Sequence, residues 1–346
     1  MKNHREGYAM NFELHRDFPE SLDEEWTRLL NQAAVHVPFL HPGYLRGWWQ
    51  TRGGGEWPEA QLALVTARRE GELVGVAPLF WTPRAEGGAA LMLLGSVEIS
   101  DYLDVIARPQ DLAEFIRGLL AALPGLDLPA WSALDLYNLL DDSPSLALLE
   151  AEAAAAGYSA QVERLQHSPF IRLPGDWETY LAGIDKKQRH EIRRKMRRLE
   201  ESGVPFRWYT ADDPDRLAAE VDDFMALMAQ DAEKAAFLTP AMRQHLHHTA
   251  RWALGAGCLH LSFLEIEGHK AAGYFSFDDL NRLWVYNSGM DPAFNAYSPG
   301  WVMLGYLLQW ANEQGRDEFD FMRGDESYKY KFGAVDRFVM RVRLEC

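Results

Sequence analysis

Cysteine is almost missing: Cys258 and Cys346 are the whole supply in 346 residues. Two thiols so far apart build neither a disulfide framework nor a zinc cluster, and their scarcity suits a reducing cytoplasm. No run reaches the roughly 18 apolar residues of a membrane span, and the longest candidate, "WVMLGYLLQWA", reads as a buried helix. The start, "MKNHREGYAMNFELHRDF", has no apolar h-region and does not read as a signal peptide. Positive charge is also short: 35 Lys and Arg stand against 51 Asp and Glu, a formal −16 that disfavours general binding to nucleic acid or an anionic membrane. No GxSxG, P-loop, Rossmann GxGxxG or HExxH occurs. His245 and His248 lie three apart on an expected helix without a carboxylate at useful spacing, so no metal is expected.

What is present is a globular composition, 47% apolar with 12% aromatics, in a chain long enough for two cores. After a helix at residues 22–34 and an aromatic segment, "QLALVTARREGELVGVAPLFW" reads as two strands joined at Glu70-Gly71-Glu72. Strands "AALMLLG" and "DYLDVIA", a helix, strand "WSALDLYNL" and a helix stopped by Gly157 follow. The second half repeats this order behind longer helices. "HLSFLEIEGHKAAGYFSFDD" is again strand, Gly turn, strand, with Gly268 and Gly273 as counterparts of Gly71 and Gly75. An internal repeat is inferred, with a boundary near "HSPFIRLPGDW".

Against the acidic background, "DKKQRHEIRRKMRRLEESG" at 185–203 places eight Lys and Arg against four Asp and Glu, a local +4. It reads as a helix with Asp185 as N-cap, Ile192, Met196 and Leu199 on the apolar face, and Gly203 as stop. Lys186, Arg189 or His190, Arg193 and Arg197 form a basic stripe. The stripe is either a solvated face, with Glu191 and Lys195 paired at i, i+4, or a seat for an anionic ligand.

Three further motifs carry chemistry. In "AYSPGWVMLGYLL", Ser298, Pro299 and Gly300 open an apolar helix; Pro suits the first turn and Gly permits close backbone approach. The free N–H groups and dipole there make a candidate pyrophosphate cradle, or simply a capped core helix. "DFMRGDESYKYKFG" follows a strand and clusters Arg323, Asp325, Glu326, Tyr328, Lys329 and Lys331. Arg323 and Lys329 are candidates to hold an anionic group, Asp325 to orient an amine or take its proton, unless the segment is a surface turn with mutual ion pairs. "SVEISDYLDVI" sets Asp101 and Asp104 around Tyr102, at a cleft or at a solvated strand start.

In their order, the basic helix, the "LEIEGHKAAGYFSF" hairpin, "YNSGMDPAFNAYSPGWVMLGYLLQWANEQG" and "DFMRGDESYKYKFG" resemble the GNAT-superfamily acyltransferases of the CelD-like and FemAB-like type over roughly 176–335, and the first half does so weakly. The resemblance implies an α/β fold of two GNAT-like domains in tandem with a cleft between them, placed at 1–166 and 167–346. It implies a donor that is acetyl-CoA or another acyl-CoA, or else aminoacyl-tRNA, and an amine acceptor of small, sugar-derived or cell-envelope type. This chain departs from the family's Gly-rich loop by offering one Gly and no preceding Arg or Gln.

Such transfer needs a neutral amine, an oxyanion donor and an acid for the leaving thiolate. The candidates are a backbone N–H at the end of "LWVYNSG", Tyr286 or Tyr297 as acid, and Asp291, Asp320 or Asp325 as base. Lys186, Arg189, Arg193, Arg323, Tyr328, Lys329, Asp101 and Tyr102 are the expected substrate-binding residues. A tRNA-dependent enzyme and a non-catalytic binder of an anionic polymer or envelope precursor are the alternatives. Oligomeric state is left open.

Overall fold

The computed structural model describes residues 10–345, so Cys346 lies outside the described residues. The chain divides into two compact units, 1–165 with 338–346, and 166–337.

The first unit runs β1 (Asn11–His15), α1 (Asp23–Leu30), α2 (Pro42–Gln50), β2 (Gln61–Arg69), β3 (Glu72–Pro83), β4 (Ala89–Leu93), β5 (Ile106–Ala107), α3 (Leu112–Ala122), β6 (Ala133–Leu140), α4 (Pro144–Ala153) and β7 (Ser159–His167). The second runs β8 (Phe170–Arg172), α5 (Trp177–Gly183), α6 (Lys186–Glu200), β9 (Phe206–Thr210), α7 (Leu217–Met228), α8 (Ala232–Phe237), α9 (Pro240–Gly255), β10 (Leu259–Ile266), β11 (His269–Asp279), β12 (Arg282–Met290), α10 (Pro299–Glu313), β13 (Glu318–Asp320) and α11 (Ser327–Lys331). The last strand, β14 (Phe338–Glu345), falls inside the second domain as bounded from sequence at 167–346, but it pairs with β6 in the first sheet. Its pattern of buried and open residues says only that it is a strand; which sheet takes it is a matter of the free edge on β6.

The repeat is visible as strand order. The first sheet reads β1-β2-β3-β4-β6-β14-β7 and the second β8-β13-β12-β11-β10-β9. Three antiparallel pairings, one parallel pairing and a closing antiparallel strand recur in both, with β13 standing for β6 and β8 for β14. The two Gly turns match as well. Glu70 and Gly71 have φ of 53° and 86°, Glu267 and Gly268 54° and 77°, the doubly left-handed pair that a tight right-twisted hairpin requires. "DYLDVIA" departs from expectation, contributing only Ile106 and Ala107 to the sheet.

In the second unit the sheet carries helices on both faces. Leu264, Ala272, Tyr274, Leu283 and Val285 pack beneath α10 and α6. Phe275 meets Phe224 of α7, and Phe277 meets Trp252 of α9, on the other face. The strand period of two thus sorts neighbouring residues to opposite sides.

Candidate functional site

Strands β12 and β13 run parallel but touch only over Arg282–Trp284 and Glu318–Asp320. Beyond them β13 stops. The Asp320 carboxylate accepts from the Met322 N–H at 2.7 Å, the backbone turns through Met322 at a φ of 56°, and Arg337 pairs with both Glu318 and Asp320. β12 continues to Met290 paired with β11 alone, so a gap opens beside Val285–Met290. On the other side of β12, the Lys234 ammonium of α8 donates to the Ser288 carbonyl.

At this gap lies a cavity of about 280 Å³, lined by Lys195, Tyr274, Ser288, Met290, Asn295, Ser298, Pro299, Gly300, Trp301, Leu304, Tyr328 and Phe332. Ser298 adopts a left-handed conformation at φ 54°, which turns its carbonyl onto the N–H groups of Trp301 and Val302 at 3.0 and 3.1 Å. Pro299 has no N–H, so Gly300 supplies the open donor of the first turn. Lys195 brings the positive charge. Its ammonium lies 3.9 Å from the Trp301 ring centroid and 3.6 Å from Glu191, and burial draws its pKa down. Two phenols face the same space. Burial pushes the pKa values of Tyr274 and Tyr328 up, so both are hydrogen-bond donors at neutral pH, and neither hydroxyl has a protein partner among the described residues.

Of the residues expected from sequence, Ser298, Pro299, Gly300 and Tyr328 are brought together here. Others are not. Tyr286 sits 5.6 Å from the Phe275 ring and 5.4 Å from Phe277, on the α7 and α9 face, where a bulge in β12 turns it away from the cavity. Asp291 accepts from the Ala293 N–H at 2.9 Å as the cap of a short turn and borders a separate polar depression with Asp223 and Lys270. Asp320 is fully buried against Arg337. Asp325 is exposed and Arg323 half-buried, and neither lines the cavity.

Lys329 is a correction. It is 2% exposed, and its ammonium donates to the carbonyls of Arg323, Gly324, Phe321 and Met322 at 2.9, 3.0, 3.3 and 3.5 Å, with Glu326 at 2.9 Å. Its protons hold the loop after β13 and are not offered to an anion. The basic stripe is partly paired: Arg189 caps α5 through the Leu181 and Ala182 carbonyls, Arg193 pairs with Glu178, and Arg197 reaches Glu201 at 4.0 Å, the last two pairs being exposed. Lys186 is exposed and without a partner among the described residues. In the first unit Tyr102 is a core ring, 1% exposed and edge-on to Phe39 at 6.5 Å, while Asp101 is half-buried. Burial there falls on Asp104, which accepts from Ser143 Oγ at 2.5 Å and whose pKa rises to about 6.

Lys195, Tyr274 and Ser288 escaped sequence reasoning as site residues. Lys195 was visible only as the i+4 partner of Glu191, and Tyr274 as one aromatic in a strand.

Residues 186–330 match the family described as acetyltransferase (GNAT) domain. The match lies within the second unit and spans less than half of the chain. Among solved structures, the fold is similar to the crystal structure of FemX, at 12% identity over 92% of this chain and 95% of that one, with a TM-score of 0.64. It is similar to a conserved protein of unknown function from Bacteroides thetaiotaomicron, at 13% identity over 97% and 100%, TM-score 0.60. It is also similar to L-PGS from Bacillus licheniformis, at 12% identity over 95% and 93%, TM-score 0.57. What these share with this chain is the fold. No curated protein sequence matches it. Among the described residues no helix is long and apolar enough to cross a membrane, and no cluster of three or more His, Cys, Asp or Glu can hold a metal.

Proposed function

We propose that the chain transfers an acyl group from an acyl-CoA to the amine of a small or sugar-derived acceptor, at the gap between β12 and β13. One observation carries the reading: an open helix N-terminus, a lysine and two protonated phenols meet beside an unpaired strand edge. The Gly300 N–H and Lys195 suit the pyrophosphate of coenzyme A, since both donate to anions and the helix dipole adds its positive end. The thioester supplies an acyl carbon activated for attack by nitrogen. Charge developing on the carbonyl oxygen and on the departing sulfur needs donors, and Tyr274 and Tyr328 are held neutral and aimed at the space where it appears. Cytoplasm is the compartment this chemistry and the scarce thiols suit.

A second reading is a donor carried on tRNA. An open depression on α6, lined by His190, Arg193, Arg194, Arg197, Arg198 and Glu201, favours it as a phosphate-binding surface.

The test is thiol release from a panel of acyl-CoAs with amino sugars and small amines, run beside deacylation of aminoacyl-tRNA. Amine-dependent thiol release is expected, with Lys195→Met raising the donor KM roughly tenfold, about 1.4 kcal/mol, while kcat holds. Deacylation of tRNA without thiol release gives the second reading; neither activity leaves a binding protein and refutes both.

A further inference from the structure

The face of the sheet under α10 should be apolar, and along one line it is not. His260 and Ser262 of β10 stand directly opposite Ser276 and Tyr274 of β11. All four are at most 4% exposed. The two His260 ring nitrogens and the hydroxyls of Ser262 and Ser276 have no protein partner among the described residues. Cross-strand neighbours on one face place their Cβ atoms about 5 Å apart, so these groups form a contiguous polar file with Tyr274 at one end. Tyr274 lines the donor cavity.

At the other end, Asp278 follows two residues after Ser276 on the same face and pairs with Arg316 at 2.6 and 2.8 Å, a quarter exposed. The groups facing His260 are Ser276 and Asp278 from β11, Ser262 from its own strand and Cys258 just before that strand, Trp310 of α10 with its ring 4.3 Å away, and Arg316 beyond α10. Buried polar groups left without partners cost about 1–3 kcal/mol each, and internal water bridging two to four such groups removes that cost.

We propose that Tyr274, Ser262, Ser276 and His260, bridged by internal water, form a proton path from the cavity to the Asp278–Arg316 pair. The inference rests on the acyl-transfer reading. An acceptor amine arrives as an ammonium and must lose one proton before it attacks. A proton enters at the Tyr274 oxygen as the phenol passes its own along the file. His260 takes a proton on one ring nitrogen and releases one from the other, and it leaves by Asp278 to solvent. One ammonium becomes one amine, one proton reaches bulk water, and every group of the path keeps its charge; His260 is left in its other tautomer, and reorientation of the water and hydroxyl groups resets the file. An imidazole made weakly basic by burial suits the task, because it does not trap the proton. His260 acts through Tyr274 and is a positioning residue.

The test uses the full chain, with His260→Phe to keep the tilted ring contact with Trp310 and Ser276→Ala as a second, smaller change. With acetyl-CoA and the basic amine that the wild type acylates fastest, each variant is expected to lose tenfold or more in kcat near pH 7 and to lose its solvent deuterium isotope effect. With hydroxylamine, neutral at that pH, rate and donor KM should stay within about twofold. Equal losses on both acceptors mean a structural role and overturn the proposal. Independently of turnover, water-to-ring magnetisation transfer at labelled His260 is expected in the wild type and reduced in Ser276→Ala; a dry ring overturns the path even if acyl transfer is confirmed. Absence of acyl transfer in the wild type refutes the functional reading instead, and with it the path's purpose.

Discussion

At the scale of single residues, Lys329 and Tyr328 show how two neighbours on a short helix take different tasks. Successive residues on a helix point about 100° apart, so Tyr328 reaches the cavity while Lys329 turns under the loop after β13. Removing the ammonium leaves several carbonyls without a donor. Lys329→Met is therefore expected to lower unfolding free energy by about 3 kcal/mol in a urea titration, and to impair donor and acceptor alike by loosening the loop. A stable variant with only a raised acceptor KM would restore the substrate-binding role read from sequence. In "SYKYKFG" the lysines look alike; burial alone separates Lys329 from exposed Lys331.

At the scale of elements, α6 and β12 carry the site. Helix α6 is where the sequence places it, with Asp185 accepting from the Lys187 and Gln188 N–H groups at 2.9 and 3.2 Å and Ile192, Met196 and Leu199 buried. The pattern of apolar spacing and cap made this legible. Which cation faces inward was not, because Lys195 meets Trp301 only when α10 packs alongside. β12 owes its position to Gly289. A Cβ there would lie 2.5 Å from the Met228 nitrogen and 2.6 Å from the Leu227 carbonyl carbon, so only glycine lets α7 rest on the strand. Gly289→Ala is expected to destabilise the chain by about 2–3 kcal/mol in the same titration. Gly300 is the contrast: a Cβ there meets only the end of the exposed Met290 side chain, at 2.8 Å. Gly300→Val should keep wild-type stability and raise the donor KM; unchanged donor affinity would move the cradle elsewhere.

At the scale of the whole molecule, the C-terminal strand belongs to the sheet that the N-terminal residues begin. Deleting residues 338–346 strips β14 from β6 and is expected to expose the first unit, not the second, to limited proteolysis. Acid stability follows from buried histidines. Burial lowers the pKa values of His245 and His260 to about 3 and about 4, whereas the unfolded chain binds protons near 6.5. Below that value the unfolded state holds protons that the folded state does not, so stability falls as pH drops from 6.5 toward 4. The loss is roughly 2 kcal/mol per histidine by pH 5. Asp104, raised to about 6 by burial, works in the opposite sense in the first unit, since it gains its proton earlier when folded. Calorimetry should find a Tm that drops between about pH 7 and pH 5, and a shallower drop in His260→Phe. An unchanged pH slope in that variant would show that the ring is charged or exposed when folded.

The sequence by itself determined the repeat, the Gly-turn hairpins, the basic helix and the helix start at Ser298–Gly300, because cap, turn and period signals are local and survive without knowledge of neighbours. Tertiary structure alone decided what converges. β13 ends after three residues and opens the gap; the two-residue period of β11 sends Tyr274 to the α10 face and Phe275 to the other; the bulge in β12 takes Tyr286 off the cavity. It also set Lys329 inward and paired Arg193 of the basic stripe with Glu178 of α5, since a charge's partner is fixed by distance in space and not by distance along the chain.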